Sequence, residues 1–159
     1  MGDVCMEGDI TKVITYGTFD TFHYGHVELL NRARQLGDYL VVAVSTDEFN
    51  KIKGKTCMFS YKKRVEWVNS LKSVNEVIAE ESWEQKHEDV TKHDIDVLVM
   101  GDDWKEKFDF LNKYCKVVYL KRTDNISSTD IKRIQKKNVY ERFKCFLEGC
   151  IDAITKTYR

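Results

Sequence analysis

Short apolar runs alternate with amphipathic stretches along most of this chain. Five runs of four to six mainly apolar residues predict β-strands covered on both faces: Val13–Tyr16, Tyr39–Val44, Glu76–Ala79, Val97–Met100 and Val117–Leu120. Apolar residues at steps of three and four predict helices between them: His26–Leu36, Tyr61–Lys72, Trp83–His93 and Asp103–Lys113. This alternation predicts βαβ units, and hence a Rossmann-like α/β fold: an open parallel sheet of about five strands with helices on both faces.

Two stretches depart from the alternation. The segment Asp47–Phe59 has no clear period and carries Lys51, Lys53 and Lys55, which predicts a long loop of functional use. From Asn138 to Tyr158 the apolar residues again recur at helical steps and predict an amphipathic C-terminal helix. We therefore expect one domain over residues 12–134, with the helix 138–158 packed on it or on a second copy of the chain.

Composition and charge exclude several classes of protein. The chain has 159 residues, with 26 Lys and Arg against 26 Asp and Glu, so its formal net charge is zero. A general nucleic-acid or membrane-surface binder would carry a basic excess, so we expect neither kind of partner. The five cysteines are an odd number without a Cys-x-x-Cys pair. That usage is typical of a reduced protein and predicts a cytoplasmic location.

The first predicted strand runs directly into a segment with two histidines, His23 and His26. An open α/β sheet binds ligands at the carboxyl end of a strand, where free N–H groups of a helix N-terminus attract anions. Gly25 lets a phosphate approach the backbone closely. Both imidazoles can donate hydrogen bonds to phosphate oxygens as negative charge develops. Histidines that only cap a helix are the alternative, but the placement of His-x-Gly-His favours a phosphate site.

A second candidate phosphate site follows the fifth predicted strand. Arg122 precedes Ser127, Ser128 and Thr129, which are favourable residues for a helix N-cap. Their hydroxyl and N–H groups, with the Arg122 guanidinium, could bind phosphate opposite the histidines. The alternative is an ordinary helix cap preceded by a solvated arginine.

These two segments resemble signatures of the nucleotidyltransferase superfamily. Gly17–His26 is similar to its Gly-Thr-Phe-Asp…His-x-Gly-His signature. Arg122–Thr129 is similar to the Arg-Thr-x-Gly-Ile-Ser-Thr-Thr signature of the cytidylyltransferases, with Asn125 in place of glycine and Ser128 in place of threonine. Asn tolerates a left-handed backbone better than most residues, and Ser keeps the hydroxyl.

Three further segments resemble the cytidylyltransferases that use glycerol 3-phosphate: Ser45–Asn50, Trp83–Lys86 and Met100–Trp104. The resemblance covers roughly residues 12–134. It implies transfer of CMP from CTP to glycerol 3-phosphate, giving CDP-glycerol and pyrophosphate, in a homodimeric enzyme. One alternative is the same reaction with another acceptor, such as phosphocholine, phosphoethanolamine or a different phospho-alcohol. The other alternative is a nucleotide-binding module that does not turn over.

The resemblance also implies roles for individual residues. Its catalytic residues are His23, His26, Lys53, Lys55 and Arg122. The resemblance also implies that His23, His26, Lys55 and Arg122 bind the nucleotide. The other nucleotide-binding residues that it implies are Thr18, Phe19, Asp20, Gly25, Arg64, Lys72, Asp103, Thr123, Ile126, Ser127, Ser128 and Thr129. Its acceptor-binding residues are Asp47, Lys53, Trp83 and Lys86. Mg²⁺ is the expected cofactor, held mainly by phosphates and water rather than by protein ligands.

Several of these assignments have alternatives in residue chemistry. Lys53 and Lys55, taken without the resemblance, are typical of a solvated charge run, and Arg64 is equally typical of a helix surface. Lys72 stands where the family has an arginine, and it lacks the planar guanidinium fork.

Three other positions are open in the same way. Asp20 and Asp103 could orient a histidine, a metal-bound water or the substrate hydroxyls. Trp83 could line the pocket or belong to the core.

Overall fold

The structure of the chain is a computed structural model that describes residues 9–122, 129, 131–134 and 136–137. Within them, one sheet contains the strands β1 Lys12–Gly17, β2 Tyr39–Ser45, β3 Glu76–Glu80, β4 Val97–Gly101 and β5 Lys116–Leu120. The strand order is β3-β2-β1-β4-β5, and every neighbouring pair is parallel. The predicted α/β fold with a five-stranded parallel sheet is confirmed.

Four α-helices connect these strands: α1 Tyr24–Arg34, α2 Asp47–Ile52, α3 Tyr61–Asn69 and α4 Gln85–Lys92. The prediction of a loop over Asp47–Phe59 is wrong for its first six residues, which form α2. Thr46 begins this helix, because its side chain accepts a hydrogen bond from the N–H of Phe49 at 3.1 Å. Two turns of helix are too short for an apolar period to be visible in the sequence.

The prediction of one helix over Asp103–Lys113 is also wrong. The chain forms two short 3₁₀ helices instead, Asp102–Trp104 and Asp109–Lys113. Glu106 lies between them with φ 69°. A residue in this left-handed region cannot continue a right-handed helix, so the helical spacing of the apolar residues does not produce one helix.

Apolar side chains of the central strands form a core on each face of the sheet, because successive residues of a strand point to opposite faces. Ile14, Val41 and Leu98 pack on one face with Val90 of α4. On the other face, the core contains these buried residues: Val13, Leu40, Val42, Val99, Leu30 and Ala33 of α1, and Val68 of α3. Helices therefore cover both faces, as predicted.

The strand order determines where a ligand can bind. β1 pairs with β2 on one side and with β4 on the other, so the connections from β1 and β4 lead away in opposite directions. At such a point the loops separate and leave a crevice beyond the carboxyl ends of the strands. The histidine segment follows β1, so it lies at this crevice.

The chain divides into two compact units, residues 1–125 and 126–159. The first contains the sheet. In the second, the described residues Thr129, 131–134 and 136–137 are helical. The helix predicted over 138–158 lies outside the described residues, so the division into a domain and an added helix stays a prediction. No helix in the described part of the chain is long and apolar enough to span a bilayer.

Candidate active site

The turn between β1 and α1 places His23 and His26 together at the start of α1. His23 is the N-cap, and its Nδ1 accepts a hydrogen bond from the N–H of Gly25 at 3.1 Å. The N–H of His23 donates to Nδ1 of His26 at 3.4 Å, and the two rings stack with centroids 3.9 Å apart. Because a backbone N–H can only donate, each neutral imidazole carries its proton on Nε2. Each histidine is therefore a hydrogen-bond donor at Nε2.

Electrostatics keep both rings neutral. Burial lowers the pKa of His26 to about 3, with a further contribution from His23, while Asp20 opposes the shift. Burial also lowers the pKa of His23, and the nearby positive charge of Arg122 acts in the same direction. Arg122, the second residue after β5, therefore acts on the charge of both rings. The structure thus brings these three predicted catalytic residues into one region.

The histidine turn has an unusual backbone. Phe19 and Thr21 have φ values of 53° and 49°, in the left-handed region that residues other than glycine rarely adopt. The ring of Phe19 is buried and meets the His26 ring edge-on at 5.4 Å. A Cβ at Gly17 would lie 2.8 Å from that ring, so only glycine leaves room for it. Phe19 therefore positions His26 by packing, and backbone strain of this kind is frequent at functional sites.

Asp20 anchors the loop that follows α2. Its carboxylate is buried and accepts hydrogen bonds from the N–H groups of Met58 at 2.9 Å and Phe59 at 3.1 Å. Thr18, two residues earlier, donates from Oγ1 to Oδ1 of Asn50 at 3.0 Å. These contacts connect the histidine turn to the lysine-bearing loop, a role that the sequence reasoning on Asp20 did not include.

Arg64 joins the carboxyl ends of β1 and β2. Its side chain is 0% exposed, and its Nη1 donates to the carbonyl oxygens of Thr18 and Ser45, both at 2.7 Å. Nε donates to the carbonyl of Phe59 at 3.2 Å, and Nη2 to Oδ1 of Asp47 at 2.7 Å. The alternative that Arg64 lies on a helix surface is therefore wrong. Its donors bind the protein, so in this structure it positions the site rather than presenting a charge to nucleotide.

Asp47, predicted to bind the acceptor, is also used within the protein. It accepts from the N–H of Tyr61 at 2.9 Å as well as from Arg64. Partial burial tends to raise the pKa of Asp47, but these hydrogen bonds outweigh it and hold the pKa below its usual value. Asp47 is thus an ionised partner of Arg64 at the start of α2.

The acceptor-site lysines meet at one buried carboxylate. Lys86 Nζ lies 2.6 Å from Oε1 of Glu80, and Lys53 Nζ lies 3.3 Å from its Oε2. The side chains of Lys53, Glu80 and Lys86 are 8%, 3% and 1% exposed. Ser45 Oγ also donates to Glu80 and accepts from Lys53 Nζ at 2.7 Å. The prediction that Lys53 is a solvated charge, which the residues alone favoured, is wrong.

Sequence reasoning missed Glu80. It is the last residue of β3, one position beyond the predicted strand Glu76–Ala79. An acidic residue at the carboxyl end of a strand covered on both faces was the available signal, because an unpaired carboxylate is seldom buried there.

Aromatic rings surround the two ammonium groups. Lys86 Nζ lies 4.4 Å from the ring centroid of Tyr16, 5.1 Å from that of Trp83 and 5.5 Å from that of Phe108. Lys53 Nζ lies 4.4 Å from the centroid of Phe49. These separations are typical of cation–π contacts. Trp83 is 40% exposed, so it is a wall of this cluster rather than a core residue.

The remaining predicted residues are placed differently. Lys55 is exposed in the loop after Gly54, whose φ of 67° permits the sharp turn there. Asp103 is exposed just beyond β4, at the ligand-binding edge of the sheet. Thr123, Ile126, Ser127 and Ser128 lie outside the described residues. Thr129 belongs to the second unit.

Lys72 is not brought to this site. It lies between α3 and β3, and the nearby Asn75 bonds the backbone of Leu40 near the start of β2. Lys72 is therefore at the amino edge of the sheet, roughly 16 Å of strand away from the carboxyl edge. A lysine side chain cannot span that distance to the site of its own chain.

A parallel sheet with a histidine turn and a basic cluster at its carboxyl edge defines a nucleotidyltransferase of the α/β class. The chain belongs to the Cytidylyltransferase-like family, which it matches over residues 14–134. The predicted nucleotidyltransferase activity is thereby confirmed.

Two relatives are similar over most of their length. Glycerol-3-phosphate cytidylyltransferase of Bacillus spizizenii strain W23 is 62% identical over 122 residues, covering 77% of this chain and 95% of that protein. The protein of the same name from Staphylococcus aureus is 57% identical over 122 residues, covering 77% and 92%. Among solved structures, the lipopolysaccharide core biosynthesis protein of Thermoplasma volcanium is 27% identical with a TM-score of 0.65, covering 72% of this chain and 99% of that one.

Proposed function

We propose that this chain transfers CMP from CTP to glycerol 3-phosphate, giving CDP-glycerol and pyrophosphate. A phosphate oxygen of the acceptor attacks the α-phosphorus of CTP. The bond from that phosphorus to the bridging oxygen of the β-phosphate breaks, and pyrophosphate leaves with the electron pair. A phosphomonoester has a second pKa of about 6, so the attacking group is already a dianion near neutral pH. The reaction needs positioning and charge stabilisation rather than a protein nucleophile.

The histidine turn serves the triphosphate in this proposal. His23 and His26 donate from Nε2 to oxygens of the α- and β-phosphates, where negative charge increases in the transition state. Because Nδ1 of each ring accepts a backbone N–H, the neutral rings keep their proton on Nε2 and present it to the phosphates. Arg122 and the exposed Lys55 add positive charge on the same substrate.

The observation that carries the proposal is the buried cluster of Lys53, Lys86 and Glu80 at the same sheet edge as the histidines. Two ammonium groups and one carboxylate leave a net charge of +1 in a site shielded from water. A dianionic phosphate is the kind of ligand that such a site attracts. Asp47 already bonds Arg64, so the exposed Asp103 is the better candidate to accept hydrogen bonds from the glycerol hydroxyls.

The aromatic rings favour glycerol 3-phosphate over phosphocholine. A quaternary ammonium group binds against aromatic faces. Here the faces of Tyr16, Trp83 and Phe108 already contact the ammonium group of Lys86. An acceptor with a positive head group would meet like charge at that place, whereas the glycerol head is neutral.

Magnesium enters the proposal with CTP, as part of the substrate, and neutralises the triphosphate. In the part of the chain that the structure describes, no group of three or more His, Cys, Asp or Glu could hold a metal. The proposal assigns the ion to phosphate oxygens and water because Mg²⁺ usually keeps several waters and binds the phosphates of its substrate.

A homodimer and a cytoplasmic location are also part of the proposal. The resemblance to the cytidylyltransferases supports the dimer. The odd cysteine count supports the location.

The test is an acceptor screen with pyrophosphate release as the readout. Glycerol 3-phosphate, phosphocholine and phosphoethanolamine are compared at fixed CTP and magnesium, and ATP, GTP and UTP replace CTP in parallel. A site that bonds the glycerol hydroxyls should discriminate by a factor of up to about 10⁴ in kcat/KM. Equal use of an amino-alcohol phosphate would overturn the acceptor. CTP binding without pyrophosphate release from any acceptor would instead indicate a non-catalytic module.

A further inference from the structure

Glu80 is the residue through which the two acceptor-site lysines are connected. One carboxylate oxygen accepts from Lys86 at 2.6 Å, and the other accepts from Lys53 at 3.3 Å and from Ser45 Oγ. Lys53 also donates to Ser45 Oγ at 2.7 Å, so the Ser45 hydroxyl forms a second link between Lys53 and Glu80. Ser45 ends β2, Lys53 follows α2, Glu80 ends β3 and Lys86 lies in α4. These four residues meet only in the folded chain.

The burial of these groups makes the carboxylate necessary. Lys86 and Lys53 are 1% and 8% exposed, and two buried ammonium groups without a counter-ion would repel one another or lose a proton. Glu80 offsets one charge and leaves one uncompensated. The cluster thus keeps one positive charge without a counter-ion, and its lysines are held in place before a ligand binds.

We propose that Glu80 is a positioning residue that fixes Lys53 and Lys86 as a preformed site for the phosphate of the acceptor. It acts through the two ammonium groups and does not contact the substrate itself. This inference rests on the proposed function, because it takes the ligand of the cluster to be a dianionic phosphomonoester.

The experiment compares Glu80→Gln with Glu81→Gln. Both variants lose one negative charge at the end of β3, but Glu81 is exposed. The amide in Glu80→Gln keeps the size of the side chain, but the two lysines bond opposite carboxylate oxygens. The single amide oxygen can therefore face only one ammonium group, and the NH₂ group faces the other with N–H donors. We expect the KM for glycerol 3-phosphate to rise by about 10- to 100-fold, the range that misplacing a substrate-positioning group produces. The KM for CTP should stay within about twofold of wild type, and Glu81→Gln should match wild type in both constants.

The pH dependence of the acceptor KM separates positioning from general damage to the fold. The charged groups that face Lys53 are Glu80 from β3, Lys86 from α4 and Lys55 from its own loop. Burial lowers the pKa of Lys53, and Glu80 opposes that shift. Without the carboxylate, Lys53 should lose its proton at a lower pH. In Glu80→Gln the acceptor KM should therefore begin to rise at a lower pH than in wild type, whereas a structural defect would change it equally at every pH.

Ser45→Ala keeps the inference testable if Glu80→Gln does not fold, which its melting temperature will show. This variant removes the hydroxyl between Lys53 and Glu80 without changing any charge, and we expect a several-fold rise in the acceptor KM alone. An unchanged or lower acceptor KM in the variant that folds, or an equal rise in the KM for CTP, would overturn the role of Glu80. If wild-type enzyme does not use glycerol 3-phosphate at all, the proposed function fails instead.

Discussion

Replacing His26 with alanine should reduce turnover strongly and CTP binding only weakly. The variant loses one preorganised donor to the transition state, which costs roughly 10²–10³ in kcat, or about 2.7–4 kcal/mol. The fold should survive, because the lost interactions are local. His26 accepts the N–H of His23 at 3.4 Å and stacks on its ring at 3.9 Å, and losing such a cap costs about 1 kcal/mol.

The pH dependence tests whether His26 acts as a neutral donor. Its pKa in the folded chain is about 3, against a usual value near 6.5. A lowered histidine pKa means that protonation opposes folding, so stability should fall as the pH falls from about 6.5 towards 3. Turnover should not decrease as the pH rises through 6.5, because no catalytic imidazolium is lost. It should decrease below about pH 6, where the acceptor phosphate becomes a monoanion.

The assay is pyrophosphate release at saturating CTP and glycerol 3-phosphate between pH 5.5 and 9, with CTP affinity measured by calorimetry. His26→Gln is the matched variant, since its amide nitrogen can replace Nε2 as a donor, and it should retain more activity than His26→Ala. Wild-type turnover in His26→Ala would refute the assigned role. Wild-type activity that declines as the pH rises through 6.5 would show that the histidine acts as a cation.

Two further substitutions test how the site is held and how it selects its acceptor. Arg64→Leu should lower the free energy of unfolding in urea by about 3–5 kcal/mol, because it leaves the buried carbonyls and Asp47 without their partner. The neighbouring Lys63→Leu breaks an exposed pair with Glu66 and a contact with the Trp67 ring, and should change it by less than about 1 kcal/mol. Similar losses in both variants would contradict the role of Arg64. Lys86→Met should raise the kcat/KM for phosphocholine relative to glycerol 3-phosphate at least about tenfold, because like charges 4 Å apart interact by about 4 kcal/mol at an effective dielectric constant of 20. Lys113→Met, which removes an ammonium group over the exposed ring of Tyr114, should leave that ratio unchanged, and an unchanged ratio in Lys86→Met would argue against exclusion by charge.

The pattern of residues along the chain was sufficient for the architecture. Each of the five predicted strands is present within one residue of its predicted bounds, because a strand buried on both faces must be apolar throughout. The histidine turn could also be predicted, since its strand, glycine and helix start are contiguous in the sequence. One failure occurred where a left-handed backbone angle at Glu106 outweighed a helical period, and the other where a helix begun by the Thr46 cap was too short to show a period.

Only the tertiary structure decided which side chains of the site meet one another. Glu80 and Ser45 lie 35 positions apart, yet they share a hydrogen bond because parallel strands end at the same edge of the sheet. Arg64, typical in sequence of a helix surface, is fully buried because the ends of β1 and β2 offer it two carbonyl oxygens. The local pattern of apolar residues indicates which positions are buried and whether they repeat with the period of a strand or a helix. It does not indicate which distant polar groups will satisfy one another, because that depends on strand order and register.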